Sequence, residues 1–308
     1  MLAQAQETRF RHEALFYGDD DAYLAVAVPF LRPAVDGGGA ALVAVTRQKA
    51  ALLRERLGES ARAIEFLPIE EVGRNPARII PAWRGFLERN QDVPGELRGI
   101  SEPFWPGRSN AELDECRRHE SLVDFAFAGG RGWTLLCPYD RAGLDPGVIA
   151  SARHSHELGA EAGLSSDDDV PSPFAGTLPP APEGAGGFEL GDRDLAAARR
   201  LVEGFAATAE LSPRRMVDLV TAASELTANS VVHGGGGGEL RTWRQDAELL
   251  VEIRDRGSRI DDPMAGRVMP PPEKPHGRGL WLANQLCDLV RIRSGEEGTT
   301  VRLHLGLD

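Results

Sequence analysis

Glu225 and Asn229 lie four residues apart in the run Ser-Glu-Leu-Thr-Ala-Asn-Ser-Val-Val-His-Gly at 224–234. On a helix that spacing sets a carboxylate and an amide on one face. Their oxygens suit Mg²⁺, a hard ion that takes oxygen ligands and keeps several of its waters. Further on, Asp255-Arg256-Gly257 ends an apolar run. A carboxylate there can accept from an adenine amino group, and a glycine lets backbone approach a ligand closely. Gly277-Arg278-Gly279-Leu280 opens a helical pattern, where backbone N–H groups and the helix dipole favour phosphate. Gly298-Thr299-Thr300 enters a final strand-like run. Each piece alone is common. Their order and spacing together argue for ATP held with Mg²⁺.

The elements that must position these residues can be read from periodicity and punctuation. A short strand is expected at 188–190 and a helix at 194–207. Ser212 as N-cap and Pro213 at the first helical position open a long helix to about His233. The glycine run 234–238 ends it. Strands follow at 239–244 and 249–254, then a Pro-rich loop, a helix at 280–289, and strands at 290–293 and 300–305. That order predicts an α/β sandwich with a mixed sheet covered on one side. The preceding half alternates strands (14–17, 40–45, 64–67, 98–101, 133–137) with helices (21–35, 47–57, 76–89, 110–127, 146–156). Such alternation implies a mainly parallel sheet with helices on both faces. Between the halves, 163–187 is rich in Pro, Gly and Asp and lacks apolar periodicity. It reads as a flexible linker between domains at 1–162 and 188–308.

Composition narrows the function classes. A chain of 308 residues with 42% apolar residues suits two domains with real cores. The net charge is −12 and both halves are net acidic, which argues against direct nucleic-acid binding. No run approaches the ~18–20 apolar residues needed to cross a bilayer, so no membrane partner is expected. The opening MLAQAQETRFRHEALF does not read as a secretory signal. The three cysteines, Cys116, Cys137 and Cys287, form no CxxC. Both points suggest a reducing cytoplasm. The two lysines, Lys49 and Lys274, do not follow a glycine. A P-loop is therefore excluded, and the phosphates need another device.

The segment from about Phe188 to Leu305 resembles the GHKL (Bergerat-fold) ATPase superfamily. Within it, the likeness is to the anti-sigma-factor serine kinases of bacterial stress and sporulation switches. Residues 224–234 resemble the N box, Asp255–Gly257 the G1 box, Gly277–Leu280 the G2 box and Gly298–Thr300 the final threonine motif. The resemblance implies that Asn229 holds Mg²⁺ and that Glu225 is a general base. It implies that Asp255 reads adenine, with Thr299 or Thr300 near the base. Gly257, Gly277 and Gly279 would border the nucleotide and its lid, 260–276, and Arg278 would either touch phosphate or face solvent. One position departs from the family: Arg259 stands where the G1 box usually has its second glycine. A side chain at a place of close approach is expected to weaken ATP binding and turnover. In the first half, Arg11-His12-Glu13-Ala14-Leu15-Phe16-Tyr17, Glu102-Pro103-Phe104-Trp105 and Leu136-Cys137-Pro138-Tyr139-Asp140 are similar to the MEDS sensory domain. That family is RecA-like without a P-loop. Together the halves resemble an actinobacterial anti-sigma regulatory protein with a sensor attached. The partners implied are a sigma factor or an anti-sigma antagonist, and a small-molecule ligand of unknown identity. A homodimer is left open.

Other chemistry-bearing residues read more plainly. His12-Glu13, His119-Glu120 and His156-Glu157 do not extend to HExxH, which rules out zincin chemistry. His119 is expected as a packing or helix-surface residue. Cys116 and His119 share a helix face but are too few to hold a metal. Cys137 reads as a small buried hydrophobe. Trp83, Trp105 and Trp133 read as core or pocket walls. Two rival functions stay open: a sensor histidine kinase, for which no phosphoacceptor helix pair is found, and a non-catalytic partner-binding module.

Overall fold

The computed structural model describes residues 9–161, 172–191, 194–235, 237–271 and 277–307. The chain divides into two compact units, 1–170 and 171–308. Among the described residues no helix is long and apolar enough to cross a membrane.

The first unit holds strands β1 (Arg11–Tyr17), β2 (Ala40–Val45), β3 (Ile64–Pro68), β4 (Leu97–Ser101) and β5 (Thr134–Asp140). Its helices are α1 (Asp20–Asp36), α2 (Arg47–Leu57), the single turn α3 (Ile69–Val72), α4 (Ile79–Arg89), α5 (Asn110–Phe127) and α6 (Pro146–Glu161). The strand order is β1-β5-β4-β2-β3 and every pairing is parallel. The sequence shows why. A parallel sheet is buried on both faces, so its strands are unbroken apolar runs. β2, Ala-Ala-Leu-Val-Ala-Val, is such a run. α1 and α2 cover one face through Leu24, Leu31 and Leu53. Trp83 of α4 lies against β4, where a Cβ on Gly99 would come within 2.5 Å of the indole. Asn75 caps the turn at Pro76–Arg78, which is a 3-10 turn before α4 rather than its first turn. Ser109 and Glu112 form a reciprocal capping box that starts α5.

The second unit holds β6 (Gly186–Leu190), α7 (Leu195–Ala206), α8 (Pro213–His233), β7 (Gly238–Gln245), β8 (Glu248–Asp255), α9 (Arg278–Leu286), β9 (Leu289–Gly295) and β10 (Gly298–Gly306). The sheet runs β6-β7-β8-β10-β9. All four pairings are antiparallel, where the sequence pattern suggests a mixed sheet. The reason is that two hairpins, β7–β8 and β9–β10, join through β8 and β10. Alternation then sorts the faces. Val251, Ile253, Val301 and Leu303 join Val202, Leu219, Leu226 and Ala283 of the three helices in one core. Glu252, Arg254, Thr300 and Arg302 line a hollow on the other face.

Part of the stretch expected to be a free linker belongs to this unit. Phe174 is buried in its core. The Phe174 carbonyl accepts from the Ser294 N–H at 2.9 Å, and the Pro179 carbonyl accepts from Arg302 at 2.5 Å. Residues 176–180 line the hollow on the outer sheet face.

Candidate nucleotide site

The site lies between α8, the end of β8, the start of β10 and the start of α9. Ser212 and Pro213 begin α8, and Gly234 is its C-cap. Leu226, Asn229 and His233 recur at spacings of three and four, so one stripe of α8 faces the sheet. They line a cavity of about 260 Å³ together with Ile253 and Asp255 of β8 and Thr299 and Val301 of β10. Ser258, Ile260, Gly277 and Leu280 complete the wall. The lining is thus apolar with a few polar groups, as small-ligand sites are.

Asp255 and Thr299 are direct partners in the β8–β10 register. One Asp255 oxygen accepts from the Gly257 N–H at 3.0 Å. No group among the described residues bonds the other, so a carboxylate oxygen is left for a ligand donor. Thr299 Oγ1 is 2.8 Å from Ser294 Oγ, and Ser294 Oγ accepts from the Ile260 N–H at 2.9 Å. This chain ties the cavity floor to the first residue of the lid. Ser294 was not singled out in the sequence, although it faces Thr299 across β9–β10.

The start of α9 closes on α8. Gly277 caps it with φ of 95° and ψ of −2°, a left-handed conformation that favours glycine. A Cβ on Gly279 would lie 2.6 Å from Asn229 Nδ2 and 3.4 Å from Glu225 Cβ. Only a hydrogen there lets the helix N-terminus come down beside the two α8 side chains. A helix N-terminus carries about half a positive charge.

The structure separates the sequence candidates. Asn229, Asp255, Gly277 and Thr299 line the cavity. Gly279 is packed behind Asn229. Glu225 is exposed, outside the lining, one turn before Asn229 and beside Gly279. Arg278 is exposed and outside the lining. Gly257 is also outside it: a Cβ there would sit 2.2 Å from the His233 carbonyl, so this glycine lets the β8 exit touch the end of α8. Thr300 lines the hollow on the opposite sheet face, because neighbouring strand residues point to opposite sides. Thr299 is therefore the threonine at the cavity. Arg259 is turned away, its Nε 3.0 Å from Asp261 in solvent, and it takes no part in the lining. The lid expected at 260–276 is partly fastened. Met264 is buried, and Asn284 donates to the Gly266 carbonyl at 2.9 Å. Residues 272–276 lie outside the described residues.

The first unit has a second polar centre at the carboxyl ends of its strands, the usual ligand position in open α/β sheets. Glu102, just after β4, accepts from the Thr46 N–H at 2.9 Å and the Thr46 hydroxyl at 3.0 Å. Burial pushes its carboxyl from the ordinary 4.5 up to about 7, although the Thr46 hydrogen bonds and Lys49 act downward. Lys49 donates to Asp20 at 2.6 Å and lies 4.6 Å and 5.1 Å from the Tyr17 and Tyr23 ring centroids. Both tyrosine hydroxyls are buried, and that of Tyr17 lies beside the Glu102 carboxylate.

Known proteins align with this division. Residues 11–157 match the family described as MEDS, MEthanogen/methylotroph, DcmR Sensory domain. Residues 188–305 match the histidine kinase-like ATPase domain. No curated protein is significantly similar to the chain. Among solved structures, the chain is similar to the RsbU and RsbW domains of Rv1364c from Mycobacterium tuberculosis, at 23% identity and a TM-score of 0.32. That match covers 41% of this chain and spans 33% of the other. The chain thus carries a MEDS sensory domain followed by a histidine kinase-like ATPase domain.

Proposed function

We propose that the second unit binds ATP with Mg²⁺ and acts as a nucleotide-dependent anti-sigma regulator, biased by ligand binding to the first unit. The observation that carries the nucleotide reading is the meeting of Asn229, Asp255 and Thr299 in one apolar cavity under the glycine-capped start of α9. Leu226, Ile253, Leu280 and Val301 offer flat apolar walls for a purine. Asp255 accepts from the base, and the α9 N-terminus faces the phosphates. The residues present fit Mg²⁺, since Asn229 offers one amide oxygen and phosphates and waters supply the rest. The bound ion neutralises charge on the phosphates.

In the kinase form of this reading, Glu225 takes the proton from a serine hydroxyl of an antagonist protein. That oxygen bonds the γ-phosphorus as the bond to ADP breaks. An exposed Glu225 suits a base that must meet a side chain from another protein. Calorimetry of Asn229→Ala tests the site. Loss of Mg²⁺-dependent ATP binding, with the far-UV spectrum unchanged, is the expected result. Unchanged affinity with Mg²⁺ rejects the assignment. A parent protein that binds ATP and a partner but transfers no phosphoryl group leaves the non-catalytic module.

A further inference from the structure

The first unit buries four side chains that bear metal-ligand atoms in one place. His12 comes from β1, Glu120 from α5, Cys137 from β5 and His156 from α6. Their ligand atoms all lie within 4.8 Å of one another. His12 Nε2 is 3.2 Å from Cys137 Sγ and 3.6 Å from Glu120, and His156 Nε2 is 4.0 Å from Glu120. Ligand atoms about 2.0–2.3 Å from one tetrahedral ion stand roughly 3.3–3.8 Å apart. A small inward shift therefore brings all four onto a shared centre.

Two further observations point inward. Each histidine has its other ring nitrogen beside an oxygen: His12 Nδ1 is 3.5 Å from Asp124, and His156 Nδ1 is 2.8 Å from the Ala152 carbonyl. An N–H facing an oxygen acceptor fixes the tautomer that leaves Nε2 with its lone pair, as in metal-bound histidines. In addition, both Glu120 oxygens and His156 Nε2 are buried without a hydrogen bond of good geometry, although the Tyr139 hydroxyl lies beside the carboxylate, and the Glu120 side chain is only 3% exposed. Buried polar atoms left this way are costly. A cation satisfies them.

We infer that His12, Glu120, Cys137 and His156 form a closed tetrahedral site for a divalent transition-metal ion of the zinc class. A mixed nitrogen, sulfur and oxygen donor set suits that class. The charges balance: one thiolate and one carboxylate offset a divalent ion, with a proton released from Cys137 on binding. Four protein ligands leave no open position, so the ion ties β1, β5, α5 and α6 together and does no catalysis. Asp124, 28% exposed, holds His12 from outside as a positioning residue.

The test uses the full chain, stripped with a chelator and titrated with Co²⁺. One equivalent should bind, with thiolate-to-cobalt charge transfer in the near ultraviolet and tetrahedral bands in the visible. Zn²⁺ should displace it and raise the melting temperature with concentration. Cys137→Ser should lose the charge-transfer band, and His156→Gln the tetrahedral spectrum. Asp124→Asn should keep both but weaken affinity about 10–100-fold. Absence of stoichiometric Co²⁺ uptake by the folded parent overturns the site, whatever the variants do. Undiminished charge transfer in Cys137→Ser overturns the ligand assignment by placing the ion on another thiol.

Discussion

At the scale of single residues, the proposed nucleotide site divides into groups that would hold ATP and one that would react with it. Asn229 and Asp255 line the cavity, while Glu225 stands outside it. Glu225→Gln should therefore leave ATP affinity nearly unchanged and lower phosphorylation of the antagonist serine by ~10²–10⁴-fold, the usual contribution of a general base. Phosphotransfer and calorimetry on the same preparation check both halves of this statement. Arg259→Gly belongs in the same series. Its side chain pairs outward with Asp261, so the substitution is expected to leave ATP affinity within about twofold, as surface changes usually do. The sequence expectation rested on a close backbone approach at this position, whereas the side chain points outward to Asp261. Glu102 carries a separate expectation in the first unit. Its folded carboxyl titrates near 7, above the ordinary 4.5, so the folded chain binds this proton more tightly than the unfolded chain. The resulting stability is fully present below 4.5 and is lost as pH rises through 7. The difference is on the order of 3 kcal/mol across that window. Urea unfolding should show the parent less stable at about pH 8 than at about pH 5. Glu102→Gln should flatten that dependence, and an equal slope in both proteins would contradict it.

At the scale of elements, the second unit is larger than its strands and helices suggest. Phe174 lies outside every regular element, yet only 4% of it is exposed. A lone aromatic among Pro, Gly and Asp carries no periodicity, so nothing in the sequence marks it as core. Phe174→Ala should destabilise the unit by about 3–5 kcal/mol. A fragment beginning at 188 should likewise unfold at lower urea than one beginning at 172. Equal midpoints for the two fragments would show that the strap contributes nothing. The lid shows the same effect. Its Pro-rich composition reads as loop, but Ile260 and Gly266 are fastened to β9 and α9 by Ser294 and Asn284. Polar anchors of this kind pair residues 18 and 34 apart in sequence, beyond the reach of local pattern.

At the scale of the whole molecule, legibility follows the range of the interactions. The parallel sheet of the first unit was readable because burial on both faces leaves its signature within single strands such as β2 and β5. The sequence candidates that line the cavity, Asn229, Asp255, Gly277 and Thr299, fall in short motifs, the last three at an element boundary. The all-antiparallel sheet was not readable, since the β8–β10 pairing joins strands separated by the lid and α9. The buried cluster of the first unit was hidden for the same reason. The sequence offers His12-Glu13, His119-Glu120 and His156-Glu157 as pairs, whereas the fold takes His12, Glu120 and His156 from three different pairs and adds Cys137. Adjacent residues on a strand or helix point apart, so sequence neighbours were the wrong partners to weigh.

The bond between Ser294 and Thr299 also bears on the polarity of the cavity floor. Ser294 Oγ already accepts from the Ile260 N–H, and it is buried. Either hydroxyl can donate in the 2.8 Å bond to Thr299 Oγ1; with Ser294 as the donor, the Thr299 proton is left to point at whatever occupies the cavity. The floor then presents an acceptor, Asp255, beside a donor, Thr299. Adenine offers an amino donor next to a ring-nitrogen acceptor and matches this order. Guanine offers a carbonyl next to a ring N–H, the reverse order, and opposes an acceptor to an acceptor. Each buried polar group left unmatched costs about 1–3 kcal/mol. Competition calorimetry should therefore rank ATP at least tenfold above GTP, and Thr299→Val, which removes the donor but keeps the shape, should narrow the gap.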